Sequence, residues 1–341
     1  MDIRGSLSYR LFYFIPSFVI LGVWGAYMVL SDRLFLFTQH WTLSLTMVFG
    51  SFIAGATSEG GGAVAFPVFT KVLSIPPNIA RTFALAIQTV GMGAASLVIL
   101  NYRVPIVKRA ILFSSLGGAG GIVFGTFYVA PHMVPAYSKI AFTIITLAFG
   151  FVLMLENRYH GGANRFQDIE YTNHTTTASL LMGVGFLGGI FTSIVGTGLD
   201  FLTFSLLVLY FNVSEKVATP TSVVLMAINS SVGFFVHHFA LDSFSGATFD
   251  YWLVCVPIVI FGAPLGAFVC AGISRERIVA MLIFLILVEF VSTLLIVKFD
   301  GFSTILAPVL FFALVGIFYL LHRARQAKLG ENESARGPTG S

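Results

Sequence analysis

The sequence predicts an all-α fold, a polytopic bundle of membrane-spanning helices. Three observations carry that reading. Hydrophobic residues make up 57% of the 341-residue chain, and charged residues only 10%, against about a quarter in an ordinary soluble domain. The mean hydropathy is +0.91. Apolar runs of about 20 residues, the length that crosses a hydrocarbon core of about 30 Å as a helix, recur along the chain. So much apolar surface cannot be enclosed in one water-soluble core, and the composition is the opposite of a disordered chain's.

Leu11–Leu30 is the first run. Arg10 and Asp32-Arg33 flank it, and it lacks a small-residue cleavage site, so it is read as a retained helix rather than a signal peptide. It forms an added N-terminal unit, residues 1–40. Further runs are Thr82–Leu100, Ala110–Val129, Ile140–Leu155, Val223–Val236, Tyr251–Ala271, Ile278–Val297 and Phe302–Leu321. With the first run they give about eight full spans. The stretch Glu156–Thr177 is polar and connects the two halves. Residues 301–321 form a final helix, and residues 322–341 turn basic and then polar, as in a disordered tail.

Two segments do not fit a simple span. Leu43–Ser74 is broken by Thr57-Ser58-Glu59-Gly60-Gly61-Gly62, and Ala178–Tyr210 is broken around Gly196-Thr197-Gly198-Leu199-Asp200. Each is too long for one crossing, and each piece is too short for one. Half-helices meeting at a glycine turn are expected. The segment Ile75 to Thr82 aligns with Asn212 to Thr219, and Gly121-x-x-x-Gly125 with Gly262-x-x-x-Gly266. The chain therefore reads as an internal duplication, residues 41–155 and 178–300. Treating the broken segments as re-entrant hairpins moves Arg103, Lys108 and Arg109 to the cytoplasmic side with the C-terminal tail, which satisfies the positive-inside rule and makes the repeats inverted.

Paired glycine breaks in two halves are the best sequence pointer to a transport site. Glycine lets a backbone turn tightly and lets a ligand reach the N–H groups. Helix starts near Gly61 and Leu199 would aim free N–H groups and positive dipole ends at the midplane, an arrangement suited to an anion. The expected substrate-binding set is Gly60, Gly61, Gly62, Gly196, Thr197, Gly198 and Leu199, with Arg81, Thr82, Gln88, Thr219, Thr221 and Asn229 on the helices that follow. The same glycines could serve close packing alone, and the hydroxyls could bond neighbouring helices. Arg81 could clamp an anion or snorkel to the surface.

Glu59 and Asp200 are carboxylates at expected membrane depth, where charge is costly. They are read as proton-coupling residues, with helix capping as the alternative for Asp200. Glu289 is an expected interhelical hydrogen-bonding group, and His237-His238, at the end of a span, are expected at the interface. Gly117, Gly121 and Gly125, like Gly262 and Gly266, form small faces for helix packing. Cys255 and Cys270 lie in apolar runs with neither disulfide nor metal spacing, and no metal or cofactor is expected. The chain has no GxxxxGK[ST], HExxH, CxxC or GxSxG motif and no nucleic-acid patch, so enzymatic and nucleic-acid functions lack support.

The stretch GSFIAGATSEGGGAVAFPVF with IPPNIARTFAL, repeated as GVGFLGGIFTSIVGTGLDFLTFSLL with NVSEKVATPTSVV, resembles the sulfite exporter TauE/SafE family, also called the TSUP permeases. The resemblance runs from about Thr42 to Val297. It implies a secondary transporter of sulfur-containing anions such as sulfite or organosulfonates in a bacterial-type inner membrane; export by alternating access around a midplane site between the two glycine breaks is expected, and the loop charges put the C-terminus in the cytoplasm. Protons are the expected coupling partner. Asp200, where the family carries a small or apolar residue, and the added Leu11–Leu30 helix depart from the pattern. A passive anion channel, or a membrane enzyme or sensor, is the alternative.

Overall fold

Proline, glycine and a few left-handed residues set the ends of the helices. The computed structural model describes residues 15–57, 62–160, 166, 168–169 and 174–335. Helix α1, Ile15–Leu30, stops at Asp32, whose φ is 51°. A short helix α2, Leu36–Gln39, leads into α3, Trp41–Ala56. Helix α4, Gly62–Pro67, runs on into a π turn, Val68–Val72, beginning right after Pro67. Pro76 holds an extended backbone, and Pro77 opens α5, Pro77–Asn101, where a missing N–H is harmless. Helix α6, Lys108–Phe124, continues as a π turn, Gly125–Val129, and a 3-10 turn, Ala130–His132. Helix α7 is Pro135–His160 and α8 is His174–Val195. Then come α9, Leu199–Leu209, and α10, Glu215–Phe235, which ends in the π turn Val236–Ala240. The chain closes with α11, Ala247–Gly272, α12, Arg275–Ile296, and α13, Gly301–Ala335.

Among the described residues six helices are long and apolar enough to cross a membrane: Pro77–Asn101, Lys108–His132, Thr175–Val195, Glu215–Ala240, Ala247–Gly272 and Glu276–Ile296. With the shorter apolar helices they make the expected polytopic bundle. Thr175–Val195 corrects the sequence reading, which took it as a piece too short to span. The helix begins in the stretch read as a polar loop, and 21 residues reach about 32 Å. The partner limb α9 is 11 residues, about half a crossing. Exposed apolar side chains such as Val29, Phe239, Leu295 and Phe312 cover the outside, as lipid-facing positions require.

The duplication is visible in the backbone, in a register the sequence alignment missed. Ser74 and Asn212 are both left-handed, at φ 55° and 57°. The amides that follow reach back six residues in both halves, Ile75 N to Phe69 O at 2.8 Å and Val213 N to Leu207 O at 2.9 Å. Matching Ser74 with Asn212 places Pro77 opposite Glu215, Arg81 opposite Thr219, and Thr82 opposite Pro220. The expected equivalence of Thr82 and Thr219 is therefore wrong by one residue. One residue of helix is about 100° of rotation, so the two hydroxyls do not share an orientation.

The halves interlock through glycine. A Cβ at Gly121 on α6 would lie 2.0 Å from the Phe186 carbonyl oxygen of α8, and one at Gly266 on α11 would lie 2.0 Å from that of Phe52 on α3. Each Gly-broken helix is thus held against the small-residue helix of the other half. Gly121→Ala and Gly266→Ala are expected to destabilise by about 1–3 kcal/mol, because backbone has to move. The midpoint of thermal unfolding in detergent measures this. Gly22→Ala, with nothing within 4 Å of its Cβ position, is the control, and an equal shift there would remove the interlock argument. The short helices sit inside this frame. Phe66 and Phe69, flanking Pro67, pack with Phe83, Val254 and Val256, while Phe201, Phe204 and Leu206 to Leu209 of α9 pack with Val217 and Ala218.

Candidate functional site

The second glycine turn meets the start of α5. Gly196 at φ 87° and Gly198 at φ 142° occupy conformations that side chains rarely adopt, and they separate α8 from α9. Leu199 N donates to Thr192 Oγ1 at 3.1 Å, so α9 starts beside the last turns of α8. From the other half, Arg81, Ala84 and Gln88 lie on one face of α5 by their spacing. Arg81 Nη1 donates to Ser193 O at 3.0 Å, and Gln88 Nε2 to Gly196 O at 2.8 Å. A Cβ on Gly196 would lie 2.7 Å from that of Ala84, so glycine is required by space as well as by φ.

Two polar atoms at this junction have no partner. Arg81 Nε and Gln88 Oε1 are buried and make no hydrogen bond. Leaving such groups unpaired costs about 1–3 kcal/mol each. Among the described residues no carboxylate pairs with Arg81. The contrast is Lys71, whose Nζ lies 2.6 Å from Glu289 Oε1 and also bonds Thr293 and Ser292. Lys71 is thus paired within the fold, whereas Arg81 has no carboxylate partner among the described residues.

The turn itself is internally satisfied. Gly198 N donates to Asp200 Oδ1 at 2.9 Å, and Thr197 Oγ1 to the same carboxylate. Asp200, in the first turn of α9, therefore holds the preceding turn together in this conformation. The Gly198 and Leu199 amides, expected to face an anion, are already bonded to Asp200 and Thr192. Glu59, Gly60 and Gly61 lie outside the described residues, and Gly62 opens α4.

The other expected residues scatter. Thr82 Oγ1 donates to Asn78 O and lies 3.0 Å from His237 Nδ1. His237 lies at the end of the span Glu215–Ala240, as expected, and its ring is fully buried, tucked by the π turn against Thr82 of α5. Nothing in the local sequence signals this, because the partner hydroxyl lies in the other half. Thr219 lines a small void with Gly55, Lys216 and Ala267, and its Oγ1 is buried and unpaired. Thr221 Oγ1 accepts from Val107 N at 2.9 Å, tying α10 to the connection before α6. Asn229 Nδ2 donates to Ser115 Oγ on α6 at 3.1 Å. The structure therefore gathers Arg81, Gln88 and the Gly196–Asp200 turn, and it places Thr219, Thr221 and Asn229 in contacts with other helices.

Residues 43–293 match the family described as Sulfite exporter TauE/SafE. The chain belongs to that family. The Bacillus subtilis (strain 168) protein described as "Probable membrane transporter protein YunE" is 28% identical over 244 residues, covering 65% of this chain and 85% of that one. No solved structure matches the chain. The TauE/SafE match begins after α1 and ends before α13, so both flanking helices are outside it. Every residue of the Arg81 junction is inside it. Membership makes this a multi-pass membrane protein of a transporter family.

Proposed function

We propose that the protein is a secondary transporter of small sulfur-containing anions, sulfite or an organosulfonate, in the plasma membrane. One observation carries the reading: Arg81 brings a positive charge to the second glycine turn with its Nε buried and unpaired, and among the described residues no carboxylate pairs with it. A tetrahedral or pyramidal oxyanion suits the forked donors of a guanidinium. Gln88 lines the same junction with its amide on Gly196 O. The bonds from Arg81 to Ser193 O and from Gln88 to Gly196 O join the two halves, so an anion that draws either donor away loosens one half from the other. That is the coupling alternating access needs. On this reading the C-terminus is cytoplasmic.

The test is counterflow. Proteoliposomes preloaded with sulfite are expected to accumulate labelled sulfite transiently, with saturation, and to be inhibited by an organosulfonate such as isethionate. Linear, non-saturable flux would identify a passive channel instead. Absence of any sulfite or sulfonate flux in either direction would overturn the substrate class.

A further inference from the structure

His237 sits in the π turn that ends α10, and its tautomer is assigned from its hydrogen-bond partners. Nδ1 lies 3.0 Å from Thr82 Oγ1 and 2.9 Å from Ser243 Oγ. Both hydroxyls spend their own protons elsewhere. Thr82 donates to Asn78 O at 3.0 Å, and Ser243 to His237 O at 3.1 Å. A hydroxyl has one proton to give and two lone pairs to receive with. Both therefore accept from Nδ1–H. The neutral ring then carries a bare lone pair on Nε2, and that atom is buried without a partner.

The charged surroundings are few. From α5, Arg81, the residue before Thr82, has its own Nε buried and unpaired, as is Nδ1 of the neighbouring His238. On its own turn, the His238 ring stacks on Phe234. Asp242 in the following loop is exposed, and Asp250 of α11 is held by Arg33 at 2.7 Å. Among the described residues no carboxylate lies within ion-pair distance of His237.

We propose that His237 is the proton-carrying residue of the transport site, taking a proton on Nε2 when an anion binds at Arg81. This rests on the reading of Arg81 as the anion's counter-charge. A bare lone pair repels an anion, whereas a protonated Nε2 is a donor to it. Imidazolium beside guanidinium is two like charges, and an anion between them removes that repulsion. The step balances simply: one proton comes from water, one N–H bond forms, and no bond in the protein breaks. Thr82 is a positioning residue here, holding Nδ1–H so that Nε2 is the nitrogen that titrates.

Isethionate, which stays ionised at all working pH values, is the probe, because sulfite titrates itself. Its affinity for the full-length protein is measured between about pH 5 and pH 8, the range over which histidine charge changes. Affinity is expected to fall about tenfold per pH unit where the free ring is neutral and the ring of the complex protonated, with one proton taken up per anion. His237→Asn keeps a side-chain donor for Thr82 and Ser243 but no titrating nitrogen, so its binding is expected to be weak and independent of pH. Glu59→Gln and Asp200→Asn are expected to keep the wild-type slope. Wild-type binding without pH dependence, an unchanged slope in His237→Asn, or a slope lost in either carboxylate variant overturns the proposal and leaves Arg81 as the anion site. Failure of the wild type to bind either isethionate or sulfite overturns both. Nitrogen-15 NMR of the His237 ring decides independently of the variants: a proton on Nδ1 of the neutral ring is expected, and one on Nε2 overturns the proposal.

Discussion

Arg81→Gln is expected to abolish counterflow while leaving a folded, monodisperse protein. Arg81 makes one direct bond, to Ser193 O, and a glutamine amide can still donate there. What is lost is the charge. Hydrogen bonds to charged groups contribute about 1.5–3 kcal/mol, and a buried charge facing an anion adds a Coulomb attraction of about 4 kcal/mol at 4 Å and an effective dielectric of 20. Even the lower figure weakens binding by about tenfold, and the two together by a thousandfold or more. Arg81→Lys is expected to fall between, because a point charge lacks the forked donors. Gln88→Leu is expected to lose several-fold in affinity, the scale of one neutral hydrogen bond. The measurement is saturation of uptake together with the thermal unfolding midpoint. Wild-type transport in Arg81→Gln would place the anion elsewhere in the fold. A collapse of the unfolding midpoint in the same variant would make Arg81 a structural residue.

The second large effect concerns stability. Lys71→Met and Glu289→Leu are each expected to destabilise the protein strongly, and the two changes together to recover most of the loss. Lys71 and Glu289 are 1% and 7% exposed at the side chain, and Thr143 Oγ1 adds a bond to the same carboxylate oxygen at 2.8 Å. The cluster ties the π turn after α4 to α7 and α12. Removing one partner of a buried pair costs about 3–5 kcal/mol, because the other charge is stranded, whereas replacing both by apolar groups is often neutral or stabilising. Thermal unfolding of the two single variants and the double variant in one detergent forms a double-mutant cycle. A double variant as unstable as the sum of the singles would show that the two charges are not coupled. The cluster also bears out the reading of Glu289 as an interhelical hydrogen-bonding group.

The class of the molecule was legible from composition and run length alone. Apolar segments long enough to span, and two breaks rich in glycine, need only local chemistry to read. Five of the expected runs coincide with helices long enough to cross, and the glycine-spaced faces of α6 and α11 do contact backbone carbonyls at close range. Glycine at Gly196 was also readable as a turn, since few other residues adopt its backbone angles. Periodicity and composition act over a few residues, and these features are that short.

The register of the repeat and the membership of the site required the tertiary structure. Sequence identity matched Thr82 with Thr219, yet the i−6 bonds at Ile75 and Val213 shift the match by one residue. Arg81 then stands opposite Thr219, and one position carries a buried charge where its equivalent carries a hydroxyl. The amides of Gly198 and Leu199 look free in a sequence, and Asp200 and Thr192 fill them only because the turn folds back on α8. His237 ends a span, and only the fold brings Thr82 of α5 to its ring. What the sequence determined by itself is where the chain is apolar, where it breaks, and to which family it belongs. The tertiary structure alone decided which buried polar groups find partners inside the protein and which, like Arg81 Nε and His237 Nε2, do not. Pairing depends on contacts between residues far apart in the chain, and no local pattern encodes them.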